Sequence, residues 1–192
     1  MKYKFKGVIF DLDGTLVESK LNFKLIRETI NCPLEKDILQ HVEEADAQTK
    51  KRYQAIISEH EITEAKSSKW LGDAEEFVNS LKRQNTPMAI VTRNQQSAAK
   101  IKILNNQIPI QTVFTREDTK PKPYPDALLQ IAAQWNLPTR DLVYVGDYKY
   151  DIMTATNANM ASALLIRGDV PEYANTASLI IRSLAELHPH ID

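Results

Sequence analysis

The sequence predicts an α/β fold: a doubly wound parallel sheet with a small α-helical segment inserted after its first strand. Short apolar runs alternate with longer stretches of helical periodicity along most of the chain. This alternation favours a parallel sheet that is covered by helices on both faces. The insertion is indicated by a run without glycine between Gly14 and Gly72, in which long helices with polar faces are predicted.

The predicted strands are short apolar runs that end at polar or turn-forming residues. They lie at residues 5–10, 87–92, 110–115, 141–147, 162–167 and in the first half of 176–187. Helices are predicted at residues 73–84, 94–107, 126–136 and 150–159, and at the end of 176–187. Asp73 is predicted to cap the first of these helices, Pro125 to stand in the first turn of the third, and Asn159 to end the fourth.

The composition is that of an ordinary globular protein. The formal net charge of the 192 residues is −1, so no overall field selects nucleic acid or an anionic membrane surface. The single cysteine, Cys32, excludes an internal disulfide and fits a reducing compartment. The N-terminal apolar stretch is too short for a signal peptide, and no run reaches membrane-spanning length. We therefore expect a soluble cytoplasmic protein whose partner is neither a nucleic acid nor a membrane.

Polar side chains follow four of the predicted strands, at the edge of the sheet where ligands bind in open α/β folds. This edge would bring together Asp11, Asp13, Thr92, Lys120, Lys122, Asp147 and Asp151. Clustered carboxylates repel one another unless a cation holds them, and an all-oxygen set selects a hard metal such as Mg²⁺. An ammonium and a hydroxyl beside that metal predict a bound phosphoryl group, next to which a carboxylate can act as a covalent nucleophile.

Four short segments, taken together, resemble the signature motifs of the haloacid dehalogenase-like (HAD) hydrolase superfamily. They are "DLDGTL" at 11–16, "VTRN" at 91–94, "KPYPD" at 122–126 and "VYVGDYKYD" at 143–151. The resemblance spans residues 5–187 apart from the helical insertion. It implies a Rossmann-like core and, in broad type, a phosphoglycolate-phosphatase-like enzyme with a short helical cap.

The resemblance implies a role for each motif residue. Asp11 would attack the phosphorus and form an aspartyl-phosphate. Asp13 would protonate the leaving oxygen and later deprotonate water, while its backbone carbonyl binds Mg²⁺. Because a general acid helps an alkoxide to leave and a halide does not need one, Asp13 favours phosphoryl chemistry over dehalogenation. Asp147 would ligate Mg²⁺, and Asp151 would fix either metal-bound water or Lys122, so the implied metal residues are Asp11, Asp13, Asp147 and Asp151.

The same resemblance predicts the substrate contacts. Thr92 and the backbone N–H of Arg93 would hold a phosphoryl oxygen, and Lys122 would neutralise the charge of the nucleophile and the phosphoryl group. The side chains of Arg93 and Asn94 are predicted to contact the substrate, with a surface or capping role as the alternative. Lys120 is predicted to be a solvated loop charge.

Residues 1–18 and 71–192 are predicted to form the core domain, and residues 19–70 an α-helical cap above the strand ends. On this cap, Arg27 is either a contact for a substrate anion or an unpaired surface charge. We expect a Mg²⁺-dependent phosphatase of a small phosphorylated metabolite, acting as a monomer or homodimer. The alternatives are a phosphomutase of the same superfamily, which returns the phosphoryl group to a sugar, and a non-catalytic regulatory or binding protein that keeps the fold.

Overall fold

The computed structural model describes residues 3–192. The centre of the fold is a six-stranded sheet. Its strands are β1 (Gly7–Phe10), β2 (Met88–Val91), β3 (Thr112–Phe114), β4 (Leu142–Gly146), β5 (Ala161–Leu165) and β6 (Leu179–Ile181). All neighbouring strands are parallel, in the spatial order β3-β2-β1-β4-β5-β6. The chain builds outward from β1 on one side and then crosses to β4 on the other, so a topological switch point lies between β1 and β4.

Seven α-helices lie within the described part of the chain. They are α1 (Phe23–Thr29), α2 (Ile38–Glu43), α3 (Ala47–Ala65), α4 (Ala74–Arg83), α5 (Gln96–Asn105), α6 (Asp126–Gln134) and α7 (Lys149–Asn157). Short 3₁₀ helices are found at Thr139–Asp141, Glu172–Thr176 and Leu184–His190.

The sheet is buried on both faces because the side chains of its strands alternate between two apolar clusters. Val8 and Phe10 of β1 pack with Phe77 of α4 on one face. Ile9 points to the other face and packs in a cluster with Leu128 of α6. Helices α4 and α5 therefore cover one face and α6 and α7 the other, which confirms the predicted doubly wound α/β class.

Helices α1 to α3 form the segment that follows the first strand, and they share a small apolar cluster of their own. Its buried members are Ile26, Ile30, Cys32, Val42 and Ile57. The three helices begin with side-chain caps, in which Asn22, Asp37 and Asp46 accept hydrogen bonds from backbone N–H groups of the first turn.

The two chain segments that lead into and out of these helices run side by side. The N–H of Glu18 donates to the carbonyl of Lys69 at 2.9 Å, and the N–H of Leu71 donates to that of Leu16 at 2.9 Å. The chain thus leaves and rejoins the sheet domain at one point. The division into a core and a cap stays a prediction.

Three local details bear on the predicted ends of helices. Asn159 adopts a left-handed backbone conformation just after α7, with a φ of 50°, which is typical of a helix end. Asp73 stands at the predicted N-cap position of α4, but its carboxylate makes no capping hydrogen bond and instead accepts one of 2.9 Å from the N–H of Ala185. The last predicted helix is a 3₁₀ helix that contains Pro189, which lacks the N–H that a longer α-helix needs. No helix within residues 3–192 combines the length and apolar character needed to cross a membrane.

Candidate active site

The polar residues predicted from the motifs meet at the carboxyl edge of the sheet, around the switch point. Asp11 follows β1 directly, Thr92 follows β2, and Asp147 follows β4. Since β1 lies between β2 and β4, the three residues begin their loops on adjacent strands. We call this group, together with Asp13, Lys122 and Asp151, the catalytic rim.

Lys122 is a buried cation that links two carboxylates of the rim, those of Asp11 and Asp151. Its Nζ lies 2.9 Å from Oδ1 of Asp11 and 2.6 Å from Oδ1 of Asp151, and its side chain is only 4% exposed. Burial acts to lower the pKa of Lys122, but the charges of Asp11 and Asp151 outweigh it and raise the pKa. The ammonium is therefore held in its charged form between two anions.

Three carboxylates of the rim come close enough to share a cation. One oxygen of each of Asp11, Asp147 and Asp151 lies within 4.8 Å of the others. Burial raises the pKa of Asp11 well above its ordinary value, with the charges of Asp151 and Asp147 adding to the effect of burial. Partial desolvation at the edge of the cavity, together with the charge of Asp151, raises the pKa of Asp147 to about 7. Such a set of oxygen ligands, strained by mutual repulsion, fits a hard divalent cation.

Two glycines make room for these carboxylates. Gly14 has a φ of +73°, and a Cβ placed there would lie 2.1 Å from Oδ2 of Asp147. A Cβ on Gly146 would lie 2.1 Å from the carboxyl carbon of Asp151. Any side chain at either position would therefore displace one of the candidate metal ligands.

Tyr144 is a member of the site that the motif analysis missed. Its hydroxyl lies 2.9 Å from the carbonyl of Val91 and 3.2 Å from Oδ1 of Asp151, beneath the rim. Burial, followed by the charges of Asp151 and Asp11, raises the pKa of Tyr144 well above its ordinary value, so the hydroxyl stays protonated. A signal was present in the sequence, because a tyrosine in the middle of an otherwise aliphatic buried strand needs a partner for its hydroxyl.

Asp13 is not a member of the three-carboxylate cluster. Oδ1 of Asp13 accepts a hydrogen bond from Nζ of Lys102, and Oδ2 accepts one from Nδ2 of Asn94. Burial raises the pKa of Asp13 despite these two donors. The carboxylate thus has a fixed orientation at the cavity wall, apart from the carboxylates that could hold a metal.

Lys102 of α5 is the second residue that the motif analysis missed. Its side chain is 2% exposed and its Nζ lies 2.6 Å from Oε2 of Glu64 in α3, in addition to its bond with Asp13. The ammonium therefore connects the inserted helices to the rim. In the sequence, Lys102 falls four residues after Ala98 on the buried face of its helix, where a charged residue requires a buried partner.

The segment after β2 places its three predicted substrate residues in the wall of the cavity, but their side chains are already engaged. Oγ1 of Thr92 accepts a hydrogen bond of 3.1 Å from the N–H of Asn94. Nη2 of Arg93 donates to Oδ1 of Asp37 at 2.7 Å, and its guanidinium lies 4.7 Å from the ring centroid of Tyr150. Arg93 therefore joins the rim to the N-terminus of α2.

Lys120 and Arg27, the other two basic residues considered from the sequence, both lie outside the catalytic rim. Lys120 is exposed and its ammonium lies 5.2 Å from the ring centroid of Tyr124, so it stands outside the rim. Arg27 donates from Nη1 to the carbonyls of Pro33 and Lys36, each at 2.7 Å. Its guanidinium thus organises the loop between α1 and α2, while it lines the cavity without a carboxylate partner among the described residues.

A cavity of about 540 Å³ extends from the rim to the inserted helices. Asp11, Asp13, Thr92 and Lys122 line its inner end, and residues of α1, α2 and their connecting loop line its outer end. A second cavity of about 580 Å³ lies on the other side of Gly14 and Asp147, but it does not contain Asp11 or Asp13. Any molecule that reaches Asp11 and Asp13 together must therefore occupy the first cavity.

The fold and this site define an α/β protein with an acidic rim at the strand ends. A family model described as haloacid dehalogenase-like hydrolase matches residues 20–165. The chain belongs to this family. The matched range includes Thr92, Lys122, Asp147 and Asp151 and begins after Asp11 and Asp13.

Individual relatives agree with this assignment. A haloacid dehalogenase-like hydrolase domain-containing protein of Arabidopsis thaliana is 26% identical over 85% of this chain and 72% of its own length. A candidate pyrophosphatase, PpaX, of Caldanaerobacter subterraneus is 25% identical over 88% of this chain and 90% of its own. The crystal structure of a predicted phosphoglycolate phosphatase from Haemophilus somnus superimposes with a TM-score of 0.75 at 20% identity, covering 95% and 96% of the two chains. At that identity, the structural match shows a shared fold.

Proposed function

We propose that the protein is a Mg²⁺-dependent phosphatase that hydrolyses a phosphomonoester of a small metabolite through an aspartyl-phosphate on Asp11. The observation that carries the proposal is the position of Lys122, whose ammonium is buried between Asp11 and Asp151 beside a three-carboxylate cluster. The ammonium would only repel a structural cation. A phosphoryl group placed between the metal and the ammonium, in contrast, is stabilised by positive charge on each of these two sides. The phosphoryl compounds in the names of PpaX and of the Haemophilus protein support the same reaction class.

The metal would be held by carboxylate oxygens of Asp11, Asp147 and Asp151, with the backbone carbonyl of Asp13 as a further proposed ligand. The raised pKa values of Asp11 and Asp147 indicate that these groups resist ionisation together, which a divalent cation would relieve. When bound, Mg²⁺ would supply charge that stabilises the phosphoryl oxygens.

The carboxylate of Asp11 is oriented for attack on phosphorus. Its Oδ1 accepts hydrogen bonds from the N–H of Leu12 at 2.7 Å and from Lys122, which fixes the plane of the carboxylate. Among the described residues no hydrogen-bond donor reaches Oδ2. In the proposed first step a carboxylate oxygen of Asp11 forms a bond to phosphorus while the ester P–O bond breaks.

Asp13 would move the protons of both steps. It gives a proton to the leaving oxygen in the first step and takes one from the attacking water in the second, when the bond between phosphorus and Asp11 breaks. Lys102 and Asn94 hold the carboxylate of Asp13 in one orientation for this purpose. Thr92 and the N–H of Arg93 would bind a phosphoryl oxygen, and Arg93 and Asn94 would line the substrate's path.

Residues 19–70 would act as the cap over this site. The ion pairs of Asp37 with Arg93 and of Glu64 with Lys102 join the inserted helices to the wall of the cavity. A cap in this position excludes water from the acyl-phosphate and shapes the space for the leaving group.

The test is a phosphatase screen over a panel of phosphorylated metabolites, with Mg²⁺ or with EDTA, on the wild type and Asp11→Asn. We expect hydrolysis that needs Mg²⁺ and that falls by about 10⁴-fold in Asp11→Asn, since the nucleophile is lost. A thermal unfolding curve with a wild-type midpoint shows that the variant is folded. Hydrolysis that survives both EDTA and the substitution would overturn the proposal.

A further inference from the structure

Large apolar side chains form much of the outer end of the 540 Å³ cavity, beside the charged Arg27, Glu35, Lys36, Asp37 and Lys149, whereas its inner end is acidic. Leu21, Phe23, Leu34, Ile38 and Leu39 line the outer end from the inserted segment, and Tyr148 and Tyr150 line it from the other side. Asp13, the proposed proton donor to the leaving oxygen, stands in the wall of this cavity and not in the second one. The leaving group of the substrate must therefore extend into this outer end.

Several of these side chains are open to solvent within the cavity. Leu34 is 84% exposed, Phe23 is 55% exposed and Tyr148 is 48% exposed. Large apolar side chains that line a concave surface and stay uncovered indicate a ligand that buries them. They offer contact area to a carbon skeleton or a ring and few hydrogen bonds to a polyol.

Four of the five cations that line the cavity are engaged by the protein itself. Arg93 is paired with Asp37, and Lys36 is paired with Glu44. Arg27 donates to two backbone carbonyls. Lys122 lies between its two carboxylates at the inner end. Binding a second anion of the substrate with any of these groups would break an existing interaction.

Lys149 is the exception in the described cavity wall, because its ammonium has neither a carboxylate nor a carbonyl partner there. Its ammonium lies over the rings of Tyr148 and Tyr150, 5.7 and 5.4 Å from their centroids. Glu35, also in the wall and exposed, carries the opposite charge without an ion pair among residues 3–192. The two free charges offset one another in number, so they leave no surplus of positive charge for an anion.

The charges of the whole lining lead to the same result. Seven carboxylates and five Lys or Arg side chains line the cavity, and Lys102 and Arg116 behind the wall pair with two of the seven carboxylates. Positive and negative charges therefore nearly balance, and the charge of a bound divalent cation would be offset by the transferred phosphoryl group. A further carboxylate or phosphate on the leaving group would find only Lys149 without a protein partner in the described wall, and the free charge of Glu35 offsets it.

We infer that the leaving group of the substrate is an alcohol with an apolar or aromatic body and no second anionic group. This inference rests on the proposed function, because it concerns the molecule released when Asp11 takes the phosphoryl group. It predicts poor use of 2-phosphoglycolate and pyrophosphate, whose leaving groups are anions.

The experiment compares two esters that differ by one ring carboxylate, benzyl phosphate and 4-carboxybenzyl phosphate, with wild-type enzyme and Mg²⁺. We expect kcat/KM to be at least about tenfold higher for benzyl phosphate, because the added carboxylate meets no free cation. Benzyl phosphate should also exceed 2-phosphoglycolate and pyrophosphate. Equal or faster hydrolysis of the carboxylated ester would overturn the inference.

A matched pair of variants locates the effect. Leu34→Arg adds an unpaired cation to the cavity wall, whereas Leu104→Arg adds one at an exposed leucine of α5 outside the cavity. We expect Leu34→Arg to reduce the preference for the uncharged ester several-fold and Leu104→Arg to leave it unchanged. An unchanged preference in Leu34→Arg would also overturn the inference.

The outcomes separate this inference from the proposal on which it rests. Mg²⁺-dependent hydrolysis of p-nitrophenyl phosphate together with the wrong charge preference would leave the proposed function standing and remove the inference. If no phosphate ester is hydrolysed by folded protein in Mg²⁺, the proposed function fails, and the inference fails with it.

Discussion

The catalytic rim and the inserted helices are held in place by different kinds of interaction. Asp11, Thr92 and Asp147 of the rim directly follow strands, so the register of the sheet decides where they stand. Lys122 and Asp151 lie farther from the strand ends and are held by their buried ion pair. The inserted helices have only a small apolar cluster of their own. They are joined to the rest of the molecule by buried or half-buried ion pairs between residues far apart in sequence, namely Arg93 with Asp37, Lys102 with Glu64 and Arg116 with Glu61.

This difference separates two properties of the proposed enzyme. The chemistry depends on short motifs whose positions are fixed by the sheet, and access to the chemistry depends on polar contacts across the cavity. Substitutions in the rim should therefore change the rate of the chemical step more than the stability of the fold. Substitutions in the ion pairs should change the stability and substrate binding more than the chemical step.

The largest expected effect is at the rim, where the lysines of "KPKP" provide a matched pair. Lys122→Met should lower kcat/KM by about 10³-fold, because a buried ammonium next to the transferred phosphoryl group is removed. Lys120→Met should leave kcat/KM within about twofold of wild type, because the side chain is exposed and outside the rim. Steady-state kinetics on one phosphate ester compares them. A similar loss in the two variants would contradict the assignment of Lys122.

Lys102 connects the catalytic rim to the inserted helices, so a substitution there should affect both catalysis and stability. Lys102→Met should lower kcat by about 10- to 100-fold with a smaller change in KM, since Asp13 loses the donor that orients it. It should also lower the melting temperature, because Asp13 and Glu64 are left unpaired. Lys100→Met, an exposed neighbour on the same helix, is the control for both readouts. A wild-type kcat in Lys102→Met would show that Asp13 needs no positioning by this residue.

Glu61 tests the inserted helices without touching the rim. Its Oε1 lies 2.6 Å from Nη1 of Arg116, and its Oε2 accepts the N–H of Gln95. Glu61→Gln should lower the free energy of unfolding by about 2 kcal/mol, because Arg116 loses its counter-charge while glutamine still accepts a hydrogen bond. It should change kcat by less than about threefold. Glu59→Gln, on an exposed position of α3, should change neither quantity. Chemical denaturation gives the free energies of unfolding. A loss of kcat beyond about threefold in Glu61→Gln, with an unchanged free energy of unfolding, would contradict the comparison between the rim and the inserted helices.

The smallest expected effect is the pH dependence of the metal-free protein. The pKa of Asp147 is raised from 3.8 to about 7 in the folded chain, so the folded state binds more protons than the unfolded state between these values. Stability should therefore fall as the pH rises from about 4 to about 7 in EDTA. Mg²⁺ should raise the melting temperature more at pH 8 than at pH 5, because it binds the ionised carboxylate. In Asp147→Asn, the free energy of unfolding should vary less with pH over this range. An unchanged pH dependence would show that groups other than Asp147 cause it.

The rim could be predicted from the sequence because its residues follow apolar strands at short, fixed distances. Asp11, Thr92 and Asp147 are each found at the carboxyl end of the expected strand, and the sheet has the expected parallel order. Lys122 is predicted in preference to Lys120 from the resemblance of "KPYPD" to a family motif, and its ammonium lies buried between Asp11 and Asp151. The chemical roles of these residues stay predictions.

The contacts of the inserted segment could not be predicted in the same way. Lys102 and Glu64 are both polar residues on helices, and the sequence does not say that they meet. Arg27 illustrates the difficulty, because its partners are backbone carbonyls that carry no residue-specific signal. Asp73 stands at its predicted N-cap position, but a tertiary contact with the N–H of Ala185 takes its carboxylate away from its own helix.

The most direct test of the account is to trap the phosphoryl group on Asp11. In Asp13→Asn, p-nitrophenyl phosphate should still transfer its phosphoryl group, because p-nitrophenolate leaves without a proton, while hydrolysis of the aspartyl-phosphate stalls for lack of a base. We predict a burst of one p-nitrophenolate per protein and a mass increase of one phosphoryl group on the peptide that contains Asp11 after acid quenching. Turnover without a burst, with no phosphorylated peptide or with the phosphoryl group on another residue, would contradict the account.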